Sequence, residues 1–190
     1  APNLILAMRR PHGIASLITP WNFPIAIPLW KAAPALAMGN AVALKPSEFA
    51  TRTAQLIKNL VTENLPASIF ELFPGDGQVG KSLVVNSDVV SFTGSVRIGK
   101  EVVASAAAKG IPVQAEMGGH NPAIVFPDAD LDLLASHFPI AAFSYSGQKC
   151  TATRRVIVIG DQQRRDEVSR QYEEHLDAEE APGHPRREHV

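Results

Sequence analysis

The sequence predicts an α/β fold, a parallel sheet with helices on both faces. Short β-type apolar runs alternate with helix-period segments along most of the chain, and the joints between them are short and rich in Gly and Pro. Size agrees, since 190 residues, 45% of them hydrophobic, can bury one core and part of a second. Residues 13–19 read as a strand and residues 28–38 as a helix. Gly39-Asn40 closes that helix with residue types that accept the left-handed conformation. Residues 41–44 make the next strand and 51–63 the next helix, with Thr51 as its cap and Leu56, Leu60 and Val61 on its apolar face. Residues 69–73 and 89–92 read as further strands. An alanine-rich helix at 95–109 leads to a strand at 113–116. Ligands of such sheets bind at the carboxyl ends of strands, so functional residues are expected just after them.

Composition narrows the function classes. A formal net charge of -1 without a dense basic face gives no electrostatic case for nucleic acid or an anionic membrane. The most apolar stretch, residues 23–38, is broken by Pro24, Pro28, Lys31 and Pro34, and is too short to span a bilayer. One unpaired thiol and no visible signal peptide point to a reducing cytoplasm. The chain begins at Ala1 without an initiator methionine, and it reads as a piece of something longer. From Asp161 onward charge becomes dense. Val168, Tyr172 and Leu176 leave one thin apolar stripe on a helix that Pro182-Gly183 would end. His175, His184 and His189 lack metal-ligand spacing, so no metal site is expected. Composition therefore sets off residues 161–190 as a charged, partly helical or disordered tail.

Cys150, the single cysteine, lies in Gly147-Gln148-Lys149-Cys150-Thr151, between an apolar helix-like run and the strand-like residues 156–159. It cannot form an internal disulfide, and a nucleophilic thiol needs a hydrogen-bonding neighbourhood and a base. Asn22 follows the first strand between Pro20 and Pro24, which restrict the backbone and suit a fixed oxyanion donor as well as an ordinary Asx turn. Glu116 ends a strand before Met117-Gly118-Gly119, where a carboxylate can serve as a general base or simply face solvent. Gly75-Asp76-Gly77-Gln78-Val79-Gly80 satisfies a dinucleotide glycine pattern, but the acidic residue expected on a second strand is missing. Thr93-Gly94-Ser95 makes another strand-to-helix turn that suits a phosphate oxygen. Lys45-Pro46-Ser47-Glu48 closes a strand with a cation and a carboxylate that can hold vicinal hydroxyls.

Five of these segments also carry a resemblance. Ile18-Thr19-Pro20-Trp21-Asn22-Phe23-Pro24, Lys45-Pro46-Ser47-Glu48, Phe92-Thr93-Gly94-Ser95, Glu116-Met117-Gly118-Gly119-His120-Asn121-Pro122 and Gly147-Gln148-Lys149-Cys150 stand in the order and spacing of the aldehyde dehydrogenase superfamily. The sequence resembles that family over roughly residues 10–160. The resemblance implies a Rossmann-like cofactor domain over 1–118, incomplete at its N-terminus, followed by the beginning of the catalytic domain over 119–160, acting on an aldehyde with NAD or NADP. It implies Cys150 as nucleophile, Glu116 as general base, and Asn22 as oxyanion donor beside the Cys150 N–H. It further implies that Lys45 and Glu48 hold the adenosine ribose and that Trp21 and Ser95 meet the pyrophosphate. The Gly77 region would lie by the adenine, with Ile18, Pro20, Gly94, Ile98 and Gly118 lining the rest of the dinucleotide.

His120 and the run from Gly147 to Arg155 look most like the branch that oxidises semialdehydes such as 2-oxoglutarate semialdehyde. Family members continue well beyond both sides of this region and are usually homo-oligomeric, and the subunit-joining elements are missing here. Residues 161–190 do not resemble the expected continuation. On so partial a second domain the isolated chain is expected to be weak or inactive. A cofactor-independent thiol hydrolase and a non-catalytic nucleotide-binding remnant stay open as other readings.

Overall fold

The computed structural model describes residues 5–180, and the chain divides between Gly118 and Gly119 into two units. The first holds β1 (Ile14–Ile18), α1 (Ala26–Ala37), β2 (Ala41–Lys45), α2 (Thr51–Thr62), β3 (Phe70–Leu72), α3 (Gly77–Val85), β4 (Val89–Gly94), α4 (Val96–Ala108) and β5 (Val113–Met117). Its five strands are all parallel, in the order β3-β2-β1-β4-β5.

Side-chain alternation along the strands feeds two separate cores. Ala15 and Leu17 of β1 pack with Val42, Leu44 and Phe70, under Ala32 of α1 and Ala54 and Ile57 of α2. On the opposite face, Val90 and Phe92 of β4 meet Val84 of α3 and Val102 and Ala106 of α4. Helices therefore cover both faces, as the rhythm of the sequence predicts. Leu17, Leu44 and Phe70 are almost wholly buried, and each such side chain contributes about 1.5–3 kcal/mol. Central strands buried on both sides read as near-continuous apolar runs, which is why they are plain in the sequence.

Several local expectations are corrected. Helix α1 begins at Ala26, ahead of Pro28, because a proline in the first turn removes an N–H that has no intrahelical acceptor. Gly39 takes the left-handed position (φ 84°), but Asn40 has a different task. Its Oδ1 accepts from the N–H groups of His12 and Gly13 at 2.7 and 3.1 Å, and so pins the approach to β1. Thr51 does not cap α2. A 3-10 turn at Glu48–Ala50 runs straight into the helix, and the Thr51 hydroxyl instead donates to the Glu48 carbonyl at 3.1 Å. The buried face of α2 is Ala54 and Ile57 with Val61 beside them, while Leu56 and Leu60 are 64% and 63% exposed.

The second unit contains β6 (Asn121–Val125), α5 (Leu131–Phe143), β7 (Thr153–Val158) and α6 (Gln162–Glu180), with β6 and β7 paired in parallel. Asp130 caps α5, its Oδ1 accepting from the Leu133 N–H at 3.0 Å. The charged segment from Asp161 folds as α6. Val168 is buried, and Tyr172 meets Phe138 edge to face at 5.4 Å, so the thin apolar stripe docks on α5. Gln171 ties the same helix to Asp132 of α5 at 2.6 Å. The predicted stop at Pro182-Gly183 lies outside the described residues. Among the described residues no helix is long and apolar enough to cross a membrane, and no group of His, Cys, Asp or Glu could hold a metal ion.

Candidate active site

In the first unit the chain order reverses between β1 and β4. From β1 it proceeds to β2 and β3 on one side, and β4 and β5 lie on the other. A parallel sheet opens a crevice at the carboxyl ends flanking such a point. Thr19-Pro20-Trp21-Asn22 follows β1 and Gly94-Ser95 closes β4, so two of the sequence motifs fall there. Ile18 ends β1 and packs on the second core. The Thr19 N–H donates to the Lys45 carbonyl at 3.1 Å, while its hydroxyl is buried with no partner among the described residues. Pro20 is half-buried, Trp21 is 46% exposed, and the Asn22 side-chain oxygen is buried.

Lys45 closes β2 and is only 9% exposed, its ammonium donating to the Pro46 carbonyl at 3.2 Å. Desolvation lowers its pKa below the usual lysine value, against the pull of the carboxylates of Glu48 and Asp76. Asp76 is thus a second acidic neighbour of Lys45 that sequence reasoning missed. It also caps α3, accepting from the Gln78 N–H at 2.9 Å. A carboxylate already occupies that helix N-terminus, which disfavours a phosphate there. Helix α4 differs, because its cap is the neutral Ser95, which accepts from the Ile98 N–H at 3.4 Å and keeps its own proton to donate. Within the glycine pattern only Gly75 is sterically required, with φ 146° and Val79 Cγ2 2.6 Å from where a Cβ would stand. A Cβ at Gly77 would meet nothing within 4 Å, and one at Gly80 would make only ordinary contacts. Gly94 has a packing reason of its own, since a Cβ there would stand 2.5 Å from the Phe92 ring.

Glu116 lies in β5, in register with Thr93 of β4 and exposed, and its Oε1 accepts from Gln114 Nε2 at 3.1 Å. Gln114 leads to a residue absent from the sequence-based candidates. Lys31, on α1, donates to Ser91 Oγ at 2.7 Å, to Gln114 Oε1 at 3.2 Å and to the Phe92 carbonyl at 3.4 Å. The Ser91 hydroxyl also donates to Gln114. Burial lowers the Lys31 pKa, opposed by the charge of Glu116. Lys31, Ser91, Gln114 and Glu116 form one polar chain on this sheet face. The only sequence signal was a lysine inside an otherwise apolar helix. Gly118 follows β5 at the boundary, with open space where a Cβ would be.

In the second unit Cys150 is exposed in the turn between α5 and β7. Tyr145, Ser146 and Gly147 all adopt positive φ, at 57°, 54° and 68°, so the chain leaves α5 through a left-handed reversal. L-residues pay roughly 1–2 kcal/mol each for that conformation. Arg154 Nη2 donates to the Gly147 carbonyl at 2.7 Å, and the Gln148 N–H to the Tyr145 carbonyl at 3.0 Å. Lys149 donates to Ser144 Oγ, with its ammonium 5.9 Å from the centre of the Tyr145 ring. Ile98, near the start of α4, is half-buried in the first unit's second core.

The class defined by these features is a dinucleotide-type parallel sheet followed by a segment that presents a single thiol. The profile of the aldehyde dehydrogenase family matches residues 2–190, which carries the likeness past residue 160, where the sequence reading ended it. This chain belongs to the aldehyde dehydrogenase family. It is 47% identical over 159 residues to an alpha-ketoglutaric semialdehyde dehydrogenase of Bacillus subtilis, covering 82% of this chain and 33% of that protein. The crystal structure of a betaine aldehyde dehydrogenase from Staphylococcus aureus in complex with NAD+ superposes with a TM-score of 0.80 at 32% identity, covering 88% of this chain and 34% of the other. An aldehyde dehydrogenase from Bartonella henselae gives a TM-score of 0.81 at 35% identity, covering 89% and 36%. The chain thus spans about a third of the length of these relatives.

Proposed function

We propose that this chain supplies the cofactor-binding sheet and the nucleophile of an NAD(P)-dependent aldehyde dehydrogenase that oxidises a semialdehyde, of the 2-oxoglutarate semialdehyde type, to a carboxylic acid. The observation that carries it is the position of the family motifs in a member of this family: those of the first unit fall at or just after the carboxyl ends of β1, β2, β4 and β5. The residues present suit a dinucleotide. A buried Thr19 hydroxyl, without a partner among the described residues, stands just past the end of β1, and Ser95 offers its proton at the start of α4. Trp21 would meet the diphosphate beside Ser95, and Ile18, Pro20, Gly94 and Ile98 would line the dinucleotide. Lys45, Glu48, Gly77 and Gly118 complete the family's set. The Glu48 carboxylate repels a 2′-phosphate and so favours NAD over NADP, although Lys45 offsets part of that repulsion.

Cys150, as thiolate, forms a bond to the aldehyde carbon, and the carbonyl oxygen becomes an oxyanion held by the Asn22 amide and the Cys150 N–H. When bound, the dinucleotide serves as the two-electron acceptor for conversion of this adduct to a thioester. Glu116 then takes a proton from water, the water oxygen bonds to the acyl carbon, and the thiolate leaves with release of the acid. The relative from Bacillus subtilis supports the semialdehyde substrate. The chain spans about a third of the length of its relatives, so on its own it turns over weakly, since catalysis needs groups held within about half an ångström.

The test measures NADH or NADPH formation with 2-oxoglutarate semialdehyde and with simple aldehydes, beside a melting curve with each nucleotide and a Cys150→Ala control. NAD is expected to raise the melting temperature, with slow aldehyde-dependent NADH formation that the substitution abolishes. No response to either nucleotide sinks the dehydrogenase reading, and fast turnover sinks only the claim of weak activity.

A further inference from the structure

The turn that bears Cys150 is fastened from outside itself. Asn121, the half-buried first residue of β6, donates from Nδ2 to the Cys150 carbonyl at 2.6 Å and to the Ala152 carbonyl at 3.2 Å. The pairing of β6 with β7 is irregular at this point. Asn121 opposes Thr153, yet Pro122 opposes Arg155, so Arg154 is skipped as in a β-bulge. A bulge re-aims side chains, and here the skipped Arg154 sends its guanidinium to the Gly147 carbonyl at 2.7 Å. The loop is therefore gripped twice, by Arg154 before the thiol and by Asn121 after it. Ala152 is fully buried and its N–H donates to the Lys149 carbonyl at 3.2 Å, which closes the turn around Cys150.

We propose that Asn121 is a positioning residue for Cys150. Its carboxamide holds the carbonyl on one side of the Cys150 Cα, which restrains the rotation about the Cα–C bond and so steadies the backbone frame from which the Cβ and the N–H of Cys150 project. This rests on reading Cys150 as the nucleophile. One amide satisfying two carbonyls of a single turn leaves little freedom in the peptide planes, because letting either carbonyl go forfeits a hydrogen bond. Positioning matters because a displacement of about 1 Å can cost on the order of a hundredfold in rate.

The single cysteine makes the measurement unambiguous. The rate of Cys150 alkylation by iodoacetamide at pH 7.5 is followed by intact mass in the wild-type chain, in Asn121→Ala and in Asn121→Ser, with a melting curve for each. A small mobile reagent demands less alignment than an aldehyde, so Asn121→Ala is expected to slow alkylation about fivefold. Asn121→Ser keeps one donor and is expected to recover to within about twofold of wild type. An unchanged rate in Asn121→Ala, or a rate that rises as the melting temperature falls, overturns the proposal and leaves Asn121 as a structural staple. If Asn121→Ala does not fold, the proposal is decided by Asn121→Asp, which keeps the shape without the donor: slower alkylation in a folded chain supports it, and an unchanged or faster rate overturns it. Dependence of alkylation on residue 121 without any nucleotide response would sink the dehydrogenase reading while sparing this one.

Discussion

Gly13→Ala tests how β1, and with it the Thr19 to Asn22 loop, is held in register. Gly13 sits at φ 126°, a conformation that L side chains rarely adopt, and a Cβ there would fall on the Asp88 carboxylate, with Cγ only 3.0 Å away. That carboxylate accepts from the Ile14 N–H at 2.8 Å. The substitution therefore costs about 1–3 kcal/mol in backbone strain. Moving the carboxylate aside also loses a hydrogen bond to a charged group, about 1 kcal/mol at so exposed a site. The sum is roughly 2–4 kcal/mol, a large share of the ~5–15 kcal/mol that holds a domain together. Urea unfolding of Gly13→Ala, Asp88→Ala and the double mutant would read both terms. The double mutant should lose about 1 kcal/mol less than the two single losses added together. A loss below about 0.5 kcal/mol for Gly13→Ala, or strict additivity across the cycle, would refute the reasoning.

Glu48→Gln removes the carboxylate that repels a 2′-phosphate. It should raise the stabilising shift given by NADP relative to that given by NAD, and melting curves with each nucleotide check it, an unchanged ratio counting against the assignment. Lys31→Met addresses stability against pH. The folded-state pKa of Lys31 lies below 10.5, so in the window just under 10.5 the unfolded chain holds a proton that the folded chain has released, and stability rises with pH there. Unfolding free energies from pH 8 to 10.5 should therefore climb in the wild type relative to Lys31→Met, and a flat or falling difference would contradict the buried placement of this ammonium.

What the sequence revealed and what it hid divide along physical lines. Strands β1 and β2 announce themselves because they are buried on both faces, so nearly every residue is apolar and the flanks fall at Gly, Pro or a charge, while β4 shows through Val89, Val90 and Phe92. The loops that follow them were legible for the same reason. Helix α2 misled because its large apolar residues, Leu56 and Leu60, face outward, while the close approach to the sheet is made by Ala54 and Ile57. Propensity and size cannot reveal which side of a helix a sheet will accept. Asn40, Asp88 and Lys31 were invisible in their roles because their partners stand 28, 74 and 60 to 83 positions away. The Asn121 contact was hidden in the same way, at 29 and 31 positions. The helix of α6 and its thin apolar stripe were legible in the four-residue spacing, but not the partner, α5, on which Val168 and Tyr172 dock it.

The left-handed exit from α5 leaves stability unclaimed. Tyr145 and Ser146 hold a backbone that glycine or asparagine would adopt more comfortably. Laboratory lineages selected for surviving heat would therefore collect those two residue types at positions 145 and 146, keeping the same bend at a lower conformational cost.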